Sequence, residues 1–147
     1  LSYPNFEILV FPDSYFDCIT FNDSLEHLSE PCYVLKCIKQ KLSEKGIIIA
    51  SIPNVRYISN LYSLIFRKEW KYRESGILDS EHIRFFTKKS MRRMFEEAGY
   101  TVTDQIGINK IKTWKFILFQ IFTLGSFNDT KYLQYVCIAQ SAIEDSQ

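Results

Sequence analysis

Two histidines and a small set of carboxylates carry most of the chemistry this sequence can offer. Glu26 and His27 stand side by side shortly after Asp23, in the run FDCITFNDSLEH from Phe16 to His27. The other histidine, His82, lies in LDSEHIRFFT with Asp79 and Glu81 beside it. Imidazole titrates near neutral pH, so a Glu-His pair suits general acid–base work. The same donors suit a divalent cation that would align and polarise a hydroxyl. A Glu-His pair is also commonly structural, with its imidazole bonded to backbone, and the sequence leaves both readings open. Asn22, Asp23 and Ser24 add short polar side chains where an apolar run ends. They suit ligand contact or the capping of a short helical turn.

The elements that must position these residues follow from pattern and punctuation. Phe16 to Phe21 reads as a strand buried on both faces, as in a parallel sheet. Ser29 or Glu30 caps a helix with Pro31 at its first position and Gly46 after its end. Val34, Leu35, Ile38 and Leu42 recur on it at helical spacing. Gly46 then launches a second buried strand, Ile47 to Ile52, stopped by Pro53-Asn54. Strand, helix and strand within about 35 residues make a βαβ unit with a right-handed crossover. In open α/β sheets ligands sit outside the carboxyl ends of the strands, where the polar cluster falls.

Val55 to Asp79 follows the second strand's carboxyl end as an insertion. It holds an amphipathic helix around Tyr57–Phe66 and then an aromatic and charged segment, Arg67 to Arg73. It is placed to fold over the site as a lid, or to pack peripherally. Trp70 and Tyr72 could stack on a sugar or ring acceptor or simply pack on the core. Arg84 could grip a carboxylate or phosphate, or pair with Glu81, Asp79 or Glu26. Thr87 caps a helix carrying Met91, Met94, Phe95 and Ala98, which Gly99 ends. Lys88, Lys89, Arg92 and Arg93 read as its solvated face. A strand at Tyr100–Ile108, a helical stretch at Ile111–Leu124, a turn-rich loop at Gly125–Thr130 and a last strand at Tyr132–Ala139 complete the chain. A short apolar stretch, Phe6 to Phe11, precedes all of this, and Glu144 to Gln147 is a solvated tail.

Length and composition bound the possibilities. The 147 residues suffice for one domain with a moderate core. Charge is nearly balanced, with 18 basic and 17 acidic residues and a net charge of +1, so nucleic acid is not an expected partner. Cys18, Cys32, Cys37 and Cys137 show no C-x-x-C spacing and lie in or beside apolar runs, as small hydrophobes in a reducing, cytoplasmic home. The run from Trp114 to Leu124 is well short of the roughly 20 apolar residues that a bilayer requires. The chain opens on Leu1 rather than methionine and reads as part of something longer.

Three segments in order, FDCITFNDSLEHL, GIIIASIPN and GILDSEHIRFFTKKSMRRMFEEAGY, resemble the later part of class I S-adenosylmethionine-dependent methyltransferases. The similarity is to a bacterial branch in which D-x-L-E-H, S-I-P-N and L-D-x-x-H-x-R-F-F-T recur. It covers Phe16 to Tyr100 and extends to Gln134-Tyr135-Val136. It implies an α/β, partial Rossmann-like fold, a mainly parallel sheet with an antiparallel last strand, over residues 1–147. The family's glycine-rich cofactor loop and ribose-binding acid have no counterpart here. Gly46, Gly76, Gly99, Gly107 and Gly125 form no G-x-G pattern. The strand at Phe16–Phe21 would thus lack its family neighbour and expose an open edge through which the chain self-associates.

By this resemblance the cofactor is S-adenosylmethionine, bordered by Asn22, Asp23 and Ser24. His27, Glu26 and His82 are the catalytic candidates for handling the acceptor proton, and the insertion at residues 55–79 selects the acceptor. The pattern Asp23-x-x-Glu26-His27 with His82 also resembles the metal site of small-RNA 2′-O-methyltransferases and the related set in ubiquinone-pathway O-methyltransferases. It differs in having Asp at the first acid. The expected activity is methyl transfer to a small-molecule or glycan acceptor. A non-catalytic interaction domain and a metal-dependent nucleic-acid O-methyltransferase are the other classes consistent with the residues.

Overall fold

β-Branched side chains pack well on a pleated surface, and Ile47, Ile48, Ile49 and Ile52 place their run in the interior of the sheet. The computed structural model describes residues 10–142. Its strands are β1 (Phe16–Asn22), β2 (Leu42–Pro53), β3 (Tyr100–Lys110) and β4 (Tyr132–Ser141), in the order β1-β2-β4-β3. β1 and β2 are parallel, while β4 is antiparallel to both β2 and β3. Three strands therefore run one way and the last runs against them, as the resemblance implied. The helices are α1 (Pro31–Ile38), α2 (Ile58–Phe66), α3 (Lys88–Glu97) and α4 (Trp114–Phe122).

The core forms on one face of the sheet. Ile48, Ala50 and Ile52 of β2, Tyr100 and Val102 of β3, and Tyr135, Cys137 and Ala139 of β4 meet Leu35, Ile38, Met91, Met94 and Phe95 from α1 and α3. Burying such side chains contributes about 1.5–3 kcal/mol each for the larger aliphatic and aromatic ones. Tyr100 adds a buried bond, its hydroxyl donating to the Leu35 carbonyl at 2.8 Å and tying β3 to α1. α3 begins with a reciprocal cap. Thr87 Oγ1 accepts from the Ser90 amide, and Ser90 Oγ accepts from the Thr87 amide. It ends at Gly99, whose positive φ of 86° suits a residue without Cβ.

The structure corrects several expectations. β1 is not buried on both faces: Ile19 is buried, but Cys18 and Thr20 are exposed. Among the described residues its second face has no covering helix and its outer edge no partner strand. Cys18 is accordingly an exposed free thiol rather than a core residue. Leu42 does not extend α1. The helix ends at Ile38, a 3₁₀ turn covers Lys39–Lys41, and Leu42 opens β2 opposite Phe16. Tertiary contacts end the helix early. Ser14 donates its amide to the Gln40 carbonyl, and Lys41 is buried with its ammonium 2.6 Å from Asp13. Phe6 to Phe11 falls largely, and Glu144 to Gln147 wholly, outside the described residues.

α2 forms as expected, yet none of its residues is fully buried. Ile65 and Phe66 remain exposed, as do Ile117, Ile121 and Phe122 of α4. No helix among the described residues is long and apolar enough to cross a membrane. Three substitutions test the packing. Thr87→Ala should cost about 1 kcal/mol through the lost cap. Tyr100→Phe should cost about 1–3 kcal/mol by leaving the buried Leu35 carbonyl without that donor. At Gly107 an added Cβ would lie 2.3 Å from the Tyr132 ring, so Gly107→Ala should be at least as damaging as the cap loss. Urea denaturation midpoints measure all three.

Candidate functional site

The sheet's polarity builds the site. β1 and β2 deliver their carboxyl ends, Asn22 and Pro53, to the same edge where the antiparallel β4 begins. Gln134, opposite Pro53 in the ladder, therefore reaches Asp23 across the chain, donating from Nε2 to Oδ1 at 2.6 Å. Asp23 turns the backbone with φ of 46°, a left-handed conformation that aspartate tolerates better than most residues. The chain then enters a 3₁₀ turn, Leu25–His27, anchored by a fully buried Leu25. Neither Asp23 nor Ser24 caps that turn by a side-chain hydrogen bond.

The long segment after β2 returns to this place. Asn54 and Phe86 form a bridge, and Val55 donates to the Phe86 carbonyl, so the insertion leaves and re-enters at one point. Asn54 is completely buried, and its amide donates to the carbonyls of Asp129 and Tyr132. Further along, the amides of Ile83 and Arg84 both donate to the Glu26 carbonyl. That pair of hydrogen bonds straps the His82 segment against the turn after β1. Asp79 Oδ1 accepts from the Glu81 amide, shaping the bend that presents His82.

These constraints bring Glu26, His27 and His82 together. Each offers one ligand atom, and the three atoms lie within 4.8 Å of one another. The imidazole rings meet edge to face, with centroids 4.7 Å apart. His27 Nδ1 is 3.1 Å from the Glu81 carbonyl and His82 Nδ1 is 3.0 Å from the Ile77 carbonyl. A carbonyl only accepts, so each Nδ1 carries a proton and donates. In the neutral rings the basic lone pair is then on Nε2, and that of His82 lies 3.8 Å from Glu26 Oε1. Glu26 is 1% exposed, and neither carboxylate oxygen has a hydrogen-bond partner among the described residues. Burial pushes its pKa above the usual 4.5; its own backbone amide opposes that rise, Asp23 adds to it, and the two histidines oppose it. A buried carboxylate left this way costs free energy unless a proton or cation satisfies it.

The three residues open onto a cleft of about 230 Å³ that is also lined by Asp23, Asp79 and Gln134. Of the residues expected to border the cofactor, Asp23 lines this cleft; Asn22 and Ser24 do not. Asp23 lies outside the three-residue ligand group. Arg84 pairs with none of Glu81, Asp79 or Glu26. Its guanidinium donates to the Ser29 carbonyl and lies 3.6 Å from Glu30. Trp70 and Tyr72 turn to Phe85, with ring centroids 5.3 and 6.3 Å away, and line neither this cleft nor the adjoining one. Gln134 was not foreseen. Nothing in a lone glutamine in a strand signals a partner so distant in sequence.

A family described as "Methyltransferase domain" matches residues 4–105. A ubiquinone biosynthesis O-methyltransferase of Aeromonas salmonicida is 29% identical over 122 residues, covering 83% of this chain and 48% of the relative. The chain thus spans about half the length of that relative. Among solved structures, a SAM-dependent methyltransferase from Archaeoglobus fulgidus superposes with a TM-score of 0.58 at 16% identity, over 91% of this chain and 63% of the other. The 1,6-didemethyltoxoflavin-N1-methyltransferase of Burkholderia thailandensis, solved with bound S-adenosylhomocysteine, gives 0.53 at 14% identity, over 90% and 46%. The fold is that of these enzymes, and the family match over most of the sequence places this chain among the class I S-adenosylmethionine-dependent methyltransferases.

Proposed function

We propose that this chain serves an S-adenosylmethionine-dependent O-methyltransferase acting on a hydroxyl of a small-molecule acceptor. The observation that carries the reading is the Glu26–His27–His82 cluster, buried at Glu26 and His82 and opening on a cleft at the carboxyl ends of β1 and β2. The name of the Aeromonas relative supports oxygen over nitrogen or carbon as the methylated atom. S-adenosylmethionine, when bound, supplies a methyl group on a sulfonium centre. Asn22 to Ser24 form the protein's border toward that donor, with Asp23 held by Gln134. On the acceptor side, Nε2 of His82 or His27 takes the hydroxyl proton, and the Glu26 carboxylate stabilises the resulting imidazolium. The neighbouring insertion, residues 55–79, selects the acceptor; Gly76 and Ile77 already wall the cleft.

One carboxylate and two Nε2 lone pairs also fit a divalent cation, which Glu26, His27 and His82 would hold. Such an ion would lower the pKa of an acceptor hydroxyl and relieve the unpartnered carboxylate. A cytoplasmic setting is our reading from the four free thiols.

Calorimetric titration of S-adenosylhomocysteine into this chain and into its full-length gene product tests the assignment. Binding to the full-length protein is expected; its absence there would overturn it. With an acceptor in hand, His82→Ala should lower kcat by about 10²–10⁴-fold, the range for a lost general base, with little effect on S-adenosylhomocysteine affinity.

Glu26 gives a pH signature. Its folded pKa is raised, so its burial penalty is full above that pKa and absent below the unfolded value near 4.5. Glu26→Gln should therefore raise Tm at pH 7 to 8, with the gain fading as pH falls toward 4.5. Saturating Mn²⁺ should stabilise the wild type but not Glu26→Gln.

The outer edge of β1 is unpaired among the described residues, and the rings of Phe11, Tyr15 and Phe16 cluster at its start with centroids 4.9–5.3 Å apart. We read it as a pairing edge. Light scattering of the isolated chain should show dimers or larger species, and a monodisperse monomer would refute this.

A further inference from the structure

A second cleft of about 390 Å³ adjoins the first and shares Gly76, Ile77 and Leu133 with it. Its walls are of a different character. Arg67, Lys71 and Arg73 line it against a single carboxylate, Glu69, a local balance of three positive charges to one negative. The whole chain has a net charge of only +1, so this is a local concentration rather than a share of a basic surface. Among the described residues none of the three cations forms an ion pair, whereas Arg56, Arg84, Arg92 and Arg93 all have carboxylate partners.

The Arg67 side chain and the Arg73 backbone are held in place, while all three cationic residues are exposed. The Arg67 guanidinium lies over the Tyr62 ring, 5.6 Å from its centroid. Arg73 is fixed by its backbone, its amide donating to the Leu78 carbonyl and its own carbonyl accepting from Ser80. That isolated parallel bridge to Asp79 adjoins the turn that presents His82. The charged wall and His82 are therefore parts of one continuous segment, strapped against Glu26.

We propose that Arg67, Lys71 and Arg73 form an anion subsite that holds a phosphate group of the acceptor while its hydroxyl enters the Glu26–His27–His82 cleft. This rests on the acceptor-side reading of that cleft above. A surplus of two positive charges suits a phosphate group, dianionic as a soluble monoester and monoanionic as a lipid diester, and Arg favours the planar, bidentate contact that phosphate offers. The subsite would restrict the enzyme to phosphorylated acceptors, either soluble phosphate esters or molecules presented on a lipid headgroup.

Trp70 lies within the charged segment and reports on it. In a Trp114→Phe background it is the only tryptophan. Titrating inorganic phosphate at constant ionic strength should give a saturable change in its fluorescence. Lys71→Ala/Arg73→Ala should weaken that binding at least tenfold, and Glu69→Gln should tighten it. His27→Ala should leave it unchanged. The Glu69→Gln arm reads a gain, so it does not depend on the double variant folding. Sedimentation with phosphatidylglycerol vesicles, against phosphatidylcholine, separates the sources. Vesicle binding lost in the double variant, without a response to free phosphate, would assign the subsite to a lipid headgroup. A chloride response equal to that of phosphate, or indifference to these substitutions in both assays, would overturn the subsite. S-adenosylhomocysteine binding, measured separately, shows whether the methyltransferase reading stands when the subsite does not.

Discussion

The pairing of β2 with a parallel neighbour on one side and an antiparallel one on the other governs this molecule. Because β4 runs against β1 and β2, its first residues arrive where theirs end. One edge of the sheet thus gathers Asp23, Pro53 and Gln134 from three distant parts of the chain. The backbone ladders satisfy the strands' polar groups, so side chains at this edge can face a cleft instead. The same geometry explains why the insertion can leave β2 at Asn54 and return at Phe86 without disturbing the sheet.

Glu26 is the point where this order carries a cost. Its carbonyl is satisfied twice, by Ile83 and Arg84, while its carboxylate is buried without a hydrogen bond among the described residues. The backbone contact holds the His82 segment in place, and the side chain is left in a setting that favours a proton or a cation. Natural proteins keep such features mainly where they serve binding or chemistry. The two Nδ1–carbonyl bonds work in the same direction, fixing both imidazoles in one tautomer.

The insertion contributes two kinds of surface. One wall, at Gly76, Ile77 and Asp79, closes the cleft beside the histidines; the other, at Arg67, Lys71 and Arg73, is cationic and open. The aromatic residues between them, Trp70 and Tyr72, turn toward Phe85 and line neither cleft. Aromatic rings in such a segment bury apolar area most cheaply against one another, and sequence position alone does not reveal that choice.

The strands, the capped helix α3 and its glycine stop were legible in the sequence, because each depends on local periodicity and on residues with special backbone preferences. So was the position of Asp23, Glu26 and His27 directly after an apolar strand. The burial of β1 was misjudged because an apolar run does not say how many of its faces are covered. The length of α1 was misjudged because contacts from Ser14 and Asp13 end it early. The meeting of His82 with Glu26, the Gln134–Asp23 bond and the diversion of Arg84 to Glu30 are long-range events. Chain composition and spacing determined that this is an α/β domain with an acid–imidazole motif at a strand end. Only the packing of the sheet and the return of the insertion decided which side chains share a cleft, because proximity between distant segments is set by the tertiary fold and leaves no local periodicity to read.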